Sequence, residues 1–286
     1  FEAKIYHEKN ISAVYVGHPL ADKLKNRTDL DKKNNLDKII DYLKLNQDRL
    51  VGFESFENKT IISLFPGSRA GEINSLTQPF LATAQKLYAQ NPEFRFIVPI
   101  VSQKMLEIWQ QNYNHYFADQ NWAECTSQDS NNKKNLKNNI VIIKLYETDQ
   151  LSSLDVMRAS DLILCASGTT TMEAFLLGVP MVVAYKVSKL NELLFRLLIK
   201  VKYLAMPNIL SDMMFGRPIV PEFLQSQLTV DNLTDAVLSE LKQHKNLSED
   251  WLELQKFLQA GTAKTHEQKV VEVCCSYLPF AQLKNS

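Results

Sequence analysis

The sequence predicts an α/β fold, namely a Rossmann-like parallel sheet with helices on both faces and a helical C-terminal extension. Short runs rich in β-branched and aromatic residues alternate with longer segments whose apolar residues recur at helical spacing. From about residue 229 onward only helical patterns follow. A strand that leads through a helix to the next strand favours parallel pairing with right-handed crossovers.

The predicted elements follow one another along the chain. A short strand at 13–16 leads into a turn, and a polar helix follows at 36–45. The alternating part has strands at 60–65, 94–100, 140–145, 161–165 and 180–185. Its helices are at 72–89, 102–117, 151–159 and 169–177, and three more are predicted near 229–242, 248–259 and 263–278. Residues 119–139 are polar and rich in asparagine, which indicates a surface insertion.

Composition narrows the class of protein. The 286 residues carry 32 basic and 32 acidic side chains, so the chain lacks the basic excess that a nucleic-acid-binding domain normally shows. Four cysteines, at 125, 165, 274 and 275, have no metal-ligand spacing and are interpreted as reduced thiols. We therefore expect no metal site, no cofactor and no nucleic-acid partner. No apolar run reaches the length of a membrane-spanning helix.

The first candidate site is the stretch LFPGSRAGEI at 64–73, between a predicted strand and a helix. Gly67 and Gly71 allow close backbone approach, the amides at the helix start can meet an anion, and Arg69 offers a fork of donors to phosphate. The stretch has neither the Walker pattern nor the GxGxxG pattern. The alternative interpretation is a tight turn with a solvated arginine.

The second candidate site is ASGTTTMEA at 166–174, which follows a strand and opens a helix. Ser167, Thr169 and Thr170 are capping residues with backbone amides nearby, again suited to an anion. Glu173 lies one turn inside the helix, where a carboxylate can accept the two hydroxyls of a ribose. The alternative is a helix cap with a glutamate favoured by the helix dipole.

Taken together, the motifs resemble the lipid-A-disaccharide synthase family of two-domain (GT-B) glycosyltransferases. The resemblance extends from residue 1 to about 278 and rests on five segments in the family's order: VGHPLAD at 16–22, FPGSR at 65–69 with Glu72 and Ile73, ASGT at 166–169 with Glu173, PMVVAYK at 180–186, and MPNIL at 206–210. It implies that 1–22 is the end of an N-terminal acceptor domain and linker, that 23–210 is the nucleotide-sugar-binding domain, and that 211–286 is the helical extension.

The resemblance also implies a reaction. A 2,3-diacylglucosamine passes with inversion from UDP to the 6-hydroxyl of 2,3-diacylglucosamine 1-phosphate, giving the β-1,6-linked lipid A disaccharide and UDP. Arg69 is the implied catalytic residue, because its charge would stabilise the departing diphosphate. The implied UDP contacts are Gly67, Ser68, Arg69, Glu72, Ser167, Gly168, Thr169, Glu173, Lys186 and Asn208.

Three residues depart from the family pattern. Phe65 and Met206 stand where the family usually has leucine, and Lys186 stands where it often has arginine. Lysine supplies the charge but lacks the planar fork, which weakens the case for a phosphate contact there.

The general base is expected outside this chain, because the family's proposed base is an aspartate of its N-terminal domain. His18 and Asp22 remain candidates, although Pro19 argues against a helix that would join them. The family places their segment at the junction between its domains, which favours a structural role. We therefore expect the 286 residues to bind UDP or UDP-sugars but to form no disaccharide by themselves.

The segment YKVSKLNELLFRLLIKVKY at 185–203 is basic and amphipathic. It predicts contact with an anionic membrane surface or an acyl chain, and the alternative is an ordinary covering helix. The resemblance implies a cytoplasmic enzyme of lipopolysaccharide biosynthesis, peripheral to the inner membrane and forming a homodimer. Two other functions stay open, a UDP-sugar 2-epimerase of the same fold and a non-catalytic UDP-sugar-binding module.

Overall fold

The computed structural model describes residues 6–7, 9–24, 26, 28–45, 56, 58–118, 139–186, 202–243, 247–259 and 266–277. Within these ranges six parallel strands form one sheet in the order β3-β2-β1-β4-β5-β6. The strands are β1 (Thr60–Phe65), β2 (Phe94–Ile100), β3 (Ile140–Lys144), β4 (Leu162–Ala166), β5 (Met181–Tyr185) and β6 (Glu222–Leu224). The predicted parallel α/β sheet is confirmed.

Helices connect and cover the strands. Those before and between the first five strands are α1 (Pro19–Lys23), α2 (Asp29–Leu45), α3 (Ala70–Gln90), α4 (Gln103–Ala118), α5 (Ser153–Ala159) and α6 (Thr169–Leu176). Those that follow are α7 (Met206–Phe215), α8 (Val230–Gln243), α9 (Glu249–Leu258) and α10 (His266–Tyr277). Each helix predicted within the described ranges is present, and the predicted and observed ends agree to within a few residues except at the start of α2. That helix begins at Asp29 and not at residue 36. The helix α7 was not predicted.

Two hydrophobic cores lie on opposite faces of the sheet, because successive residues of a strand point to opposite sides. On β1, Ile61 points into the core shared with α2, α5, α6 and α9. Its neighbour Ile62 points into the core shared with α3, α4 and α8. The central strands are therefore buried on both faces, which explains why they read as continuous apolar runs.

The order in which strands are added to the sheet reverses between β1 and β4. Strand β1 pairs with β2 on one side and with β4 on the other. The chain first adds β2 and β3 outward, then returns to add β4, β5 and β6. The loops that leave β1 and β4 consequently diverge to opposite faces and open a crevice at the carboxyl edge, where such sheets bind ligands.

The segment expected to be a purely helical extension is built into the domain. Strand β6 falls inside 211–286 and pairs with β5, with Val183 opposite Glu222. From α8, Leu233 joins the core on one face. From α9, Trp251 joins the core on the other face. The prediction of an appended helical segment therefore needs correction, since these residues complete both cores.

The expected strand at 13–16 and the expected absence of a helix after His18 are both wrong. Residues 11–18 have no regular secondary structure, and α1 begins at Pro19. Proline fits the first turn of a helix, where its missing N–H is not needed. His18 caps this helix, because its Nδ1 accepts a hydrogen bond from the N–H of Leu20 at 3.2 Å.

Two expected surface features lie outside the described residues, namely all but the last residue of the polar insertion and most of the basic amphipathic segment. In the part of the chain that is described, no helix combines the length and apolar character needed to cross a membrane. Cys165 is buried and Cys274 is exposed, and neither of these described cysteines forms a disulfide.

Candidate functional site

A cleft of about 360 Å³ lies where β1 and β4 end. Its walls are the two loops that the sequence singles out, together with the ends of neighbouring strands. The lining residues are Phe65, Gly67, Ser68, Arg69, Glu72, Pro99, Val101, Leu145, Ser153, Ala166, Ser167, Gly168, Thr169, Thr170 and Glu173. Two stretches about a hundred residues apart in the sequence therefore form one concave surface.

The first loop is held in shape from within by Glu72. Its Oε2 accepts hydrogen bonds from the N–H of Ser68 at 3.0 Å and from the N–H of Arg69 at 3.3 Å. Gly67 has a φ of 108°, in the left-handed region that favours glycine. A Cβ at Gly67 would also lie 2.2 Å from Oε2 of Glu72. Glycine and glutamate here form one unit that fixes the turn.

Glu72 was expected to contact UDP, and that contact stays a prediction. Its own hydrogen bonds also give it a role in shaping the loop. The carboxylate satisfies two backbone donors at the start of α3, as glutamate does at the third position of many helices. Its side chain is only 16% exposed, whereas that of Arg69 is 84% exposed. The loop therefore leaves most of the Arg69 side chain exposed, with Nη1 donating to Oε1 of Glu72 at 3.3 Å, and holds the Glu72 carboxylate against its own backbone.

The second loop opens α6 directly after β4. Thr171 donates from Oγ1 to the carbonyl oxygen of Gly168 at 2.7 Å, which ties the first turn of the helix to the loop. Ser167, Thr169 and Thr170 line the cleft beside this helix start. Because the first backbone amides of a helix lack partners within the helix, this wall of the cleft has the electropositive character that an anion requires.

Glu173 completes the cleft one turn into α6, where it is partly buried. Burial raises the pKa of its carboxyl group above the ordinary value. An acid of this kind binds more protons in the folded than in the unfolded state between the two pKa values. The free energy of unfolding therefore falls as pH rises through that window.

This pKa shift leads to a prediction about stability. Glu173→Gln removes a charge that folding must desolvate, so we expect a higher melting temperature than that of the parent protein at about pH 7. The difference should shrink near pH 4, where the parent's carboxyl group is also largely neutral. Thermal unfolding followed by circular dichroism at both pH values tests this. A variant that melts below the parent at neutral pH would show that Glu173 stabilises the fold as a carboxylate.

Asn208 was expected among the UDP contacts, and the structure places it elsewhere. Its side chain is fully buried. The Oδ1 atom accepts from the N–H groups of Ile219 at 2.8 Å and Val220 at 2.9 Å, while Nδ2 donates to Val220 O at 3.0 Å and to Oε2 of Glu222 at 2.9 Å. Its side-chain hydrogen bonds join α7 to strand β6 and to the residues just before that strand. Asn208 therefore leaves the proposed ligand-binding set.

Lys186 lies one residue beyond β5, in contact with α3. Its carbonyl oxygen accepts a hydrogen bond from Oγ of Ser75 at 3.3 Å, and the residue is exposed. It is not among the residues that line the cleft. A contact between its ammonium group and phosphate stays a prediction.

Sequence reasoning missed the residues that close the far wall of the cleft. Pro99 and Val101 lie at the end of β2, Leu145 follows β3, and Ser153 begins α5. They could have been found from their position, since each sits at the carboxyl edge of a strand or at the helix start beyond one. They make the cleft narrow and partly apolar.

The fold and the cleft define a doubly wound α/β domain with a ligand-sized crevice at its topological switch point. The family model described as "Lipid-A-disaccharide synthetase" matches residues 1–128 and 124–273. The chain therefore belongs to the lipid-A-disaccharide synthetase family.

Curated relatives agree with this assignment. A lipid-A-disaccharide synthase of Hahella chejuensis is 30% identical over 282 residues, which is 96% of this chain and 58% of the relative. One of Colwellia psychrerythraea is 32% identical over 282 residues, or 97% of this chain and 60% of the relative. The chain thus spans about 60% of the length of these relatives.

Solved structures with a similar arrangement are more distant. Anabaena Alr3699/HepE, in complex with UDP and glucose, has a TM-score of 0.46 and 13% identity, with 93% of this chain and 56% of that one covered. The E. coli ADP-heptose heptosyltransferase II has a TM-score of 0.43 and 14% identity, with coverages of 77% and 53%.

Proposed function

We propose that this chain is the donor-binding part of a lipid-A-disaccharide synthase, and that its cleft binds the UDP portion of UDP-2,3-diacylglucosamine. The observation that carries the proposal is the meeting of two helix-opening loops, after β1 and β4, in one cleft at the switch point. Membership of the family favours this activity over the epimerase.

In the proposed complex the diphosphate lies between the two loops. The guanidinium of Arg69 supplies charged donors from one side, and the start of α6 supplies backbone amides from the other. Glu173, deeper in the same wall, accepts hydrogen bonds from the ribose hydroxyls. Glu72 contributes to diphosphate binding indirectly, because it fixes the conformation of the loop that carries Arg69.

This arrangement suits the departure of UDP. In the proposed transfer, the acceptor's 6-hydroxyl oxygen forms a bond to the anomeric carbon as the bond from that carbon to the UDP oxygen breaks. A general base, which we place outside these 286 residues, takes the hydroxyl proton. The bonding electrons move onto the diphosphate, so negative charge grows where Arg69 and the helix start lie. Donors aimed at developing charge are commonly the largest contribution to catalysis. The acceptor is 2,3-diacylglucosamine 1-phosphate, and the product is the β-1,6-linked disaccharide.

The role of His18 in this proposal is structural. Its ring caps α1 through Nδ1, and its backbone N–H donates to Leu258 O at 2.9 Å. Both bonds fasten the segment before α1 to the domain. Neither His18 nor Asp22 is among the residues that line the cleft.

Glu173→Gln tests the proposed orientation of UDP. The amide should weaken binding of UDP, since one oxygen becomes a donor facing the ribose hydroxyls, and should hardly change binding of pyrophosphate. Isothermal calorimetry with both ligands measures this, with Glu253→Gln on the exposed side of α9 as a matched control. Equal weakening for the two ligands would place the ribose elsewhere.

We further propose peripheral association with the inner-membrane surface through the basic amphipathic segment at 185–203. Flotation with anionic vesicles at low salt should carry the parent protein upward, because clustered basic residues are attracted to anionic lipid. Neutralising Lys189, Arg196 and Lys200 should reduce the floating fraction. Neutralising Lys33, Lys242 and Lys256 serves as the control of equal charge. Equal flotation of all three proteins would contradict the proposal.

A further inference from the structure

A second cavity, of about 440 Å³, lies outside the cleft and has an apolar lining. It is bounded by the segment before α1, by α6, by the start of α7 and by the end of α9. The lining residues are Tyr6, Ala13, Val14, Tyr15, Val16, Gly17, His18, Met172, Met206, Leu210, Phe257 and Leu258. The lining has no acidic residue, lysine or arginine among the described residues.

The cavity is a preformed feature of the domain. The ring of Tyr15 stacks on that of Phe257, with centroids 5.0 Å apart and planes 9° apart. Close by, the backbone N–H of His18 donates to Leu258 O at 2.9 Å. Burial raises the pKa of Tyr15 to about 12, so its hydroxyl group stays neutral. These contacts hold the segment against the end of α9, and the cavity lies between this segment and α6.

The floor and the rim of the cavity differ. Met172 and Leu258 form a nearly buried floor, at 4% and 3% exposed. Val14 and Met206 lie nearer the opening, at 55% and 36% exposed. Apolar rim residues around a deep apolar floor suit a narrow hydrophobic ligand, and the volume lies in the range of small-molecule sites.

The cavity adjoins the proposed UDP site. Met172 and Glu173 are consecutive residues of α6, and Met172 lines the cavity while Glu173 lines the cleft. The helix α6 therefore contributes to the walls of both spaces. In the proposed complex, a ligand whose diphosphate lies against the start of α6 is next to the helix that bounds the cavity.

We propose that this cavity binds one acyl chain of the diacylated glucosamine donor. The inference rests on the proposed function, since it assumes that the cleft holds the nucleotide of the same molecule. The apolar rim would contribute to binding, because transfer of a hydrocarbon chain from water to an apolar surface is favourable. A flexible hydrocarbon chain fits the mostly apolar lining better than a sugar or phosphate would.

The test compares two ligands on the 286-residue chain by calorimetry. One is UDP-glucosamine, and the other is UDP-glucosamine with a single ten-carbon acyl chain on its amine, kept below its micelle-forming concentration. The parent protein should bind the acylated ligand at least tenfold more tightly. Ala13→Trp should fill the cavity and remove that gain, while the affinity for UDP-glucosamine stays the same.

A matched pair of methionines on α7 sharpens the comparison. Met206→Ser changes a rim residue and should reduce the gain at least threefold. Met213→Ser changes an exposed methionine that does not line the cavity and should leave the gain intact. Since both side chains are exposed, neither variant should fail to fold.

The outcomes separate this inference from the proposed function. Absence of any binding of UDP-glucosamine would overturn the proposed function and this inference with it. Binding of UDP-glucosamine without a gain from the acyl chain would overturn the inference alone. A gain that survives Ala13→Trp would also overturn it. If analytical ultracentrifugation then showed that Ala13→Trp converts a dimer into monomers, the cavity would be where a second copy of the chain binds.

Discussion

Replacing Trp251 with alanine is expected to lower the free energy of unfolding by about 3–5 kcal/mol, the range for large aromatic residues in a core. Trp251 is fully buried, its ring stacks on Phe175 with centroids 4.7 Å apart, and its Nε1 donates to Phe175 O at 3.1 Å. The substitution would leave both a cavity and a carbonyl group with one donor fewer. Denaturation in urea measures the loss.

The neighbouring residue supplies the control for that experiment. Leu252 lies on the same helix and is 39% exposed. We expect Leu252→Ala to cost less than about 1 kcal/mol, since most of its surface contact is with water. Similar small losses for both variants would mean that α9 is the appended helix expected from the sequence. The large difference predicted here would show that α9 is part of the core.

Arg69→Ala is expected to weaken binding of UDP by about 1.5–3 kcal/mol, which corresponds to roughly 10–150-fold in the dissociation constant. The guanidinium lies at the cleft with most of its surface exposed, so little of the fold depends on it. Its loss should therefore appear in ligand affinity and not in stability. Calorimetry together with thermal unfolding separates the two effects.

Two further variants make the interpretation of Arg69 specific. Arg69→Lys keeps the charge but loses the planar fork, so an intermediate affinity is expected. Arg217→Ala removes another exposed arginine, one that pairs with Asp250 away from the cleft, and should leave UDP affinity unchanged. Unchanged affinity in a folded Arg69→Ala protein would remove this residue from the phosphate site.

The central strands could be predicted from the sequence because they are buried on both faces. Thr60–Phe65 and Phe94–Ile100 are continuous apolar or β-prone runs, and both predicted boundaries agree with the structure. Strand β6 could not be predicted, since its three residues, Glu222–Leu224, are only half-buried and carry no alternating pattern. Its place in the sheet comes from pairing with β5, a long-range contact.

The two loops of the candidate site could be predicted because their position between a strand and a helix is a local property. The hydrogen-bond partners of Asn208 could not be predicted from the sequence. Its side-chain amide bonds to Ile219, Val220 and Glu222, which follow α7 in the chain and fold back against it. For Glu72 the sequence also carried the signal of a second role. A glutamate at the third position of a helix commonly bonds back to the cap, which predicts support for the loop in addition to the expected ligand contact.

The packing of the segment before α1 against α9 has a consequence for how the molecule is made. His18 and Leu258 are joined by a backbone hydrogen bond, and Tyr15 stacks on Phe257, so one wall of the second cavity needs two distant parts of the chain. A ribosome adds about 5–20 residues per second, so synthesis of the stretch between them takes on the order of 10–50 s. Throughout that time Tyr15 lacks Phe257, the ring on which it stacks in the folded protein. During synthesis, this apolar segment is where we expect a chaperone to bind the nascent chain, until α9 emerges and packs against Tyr15.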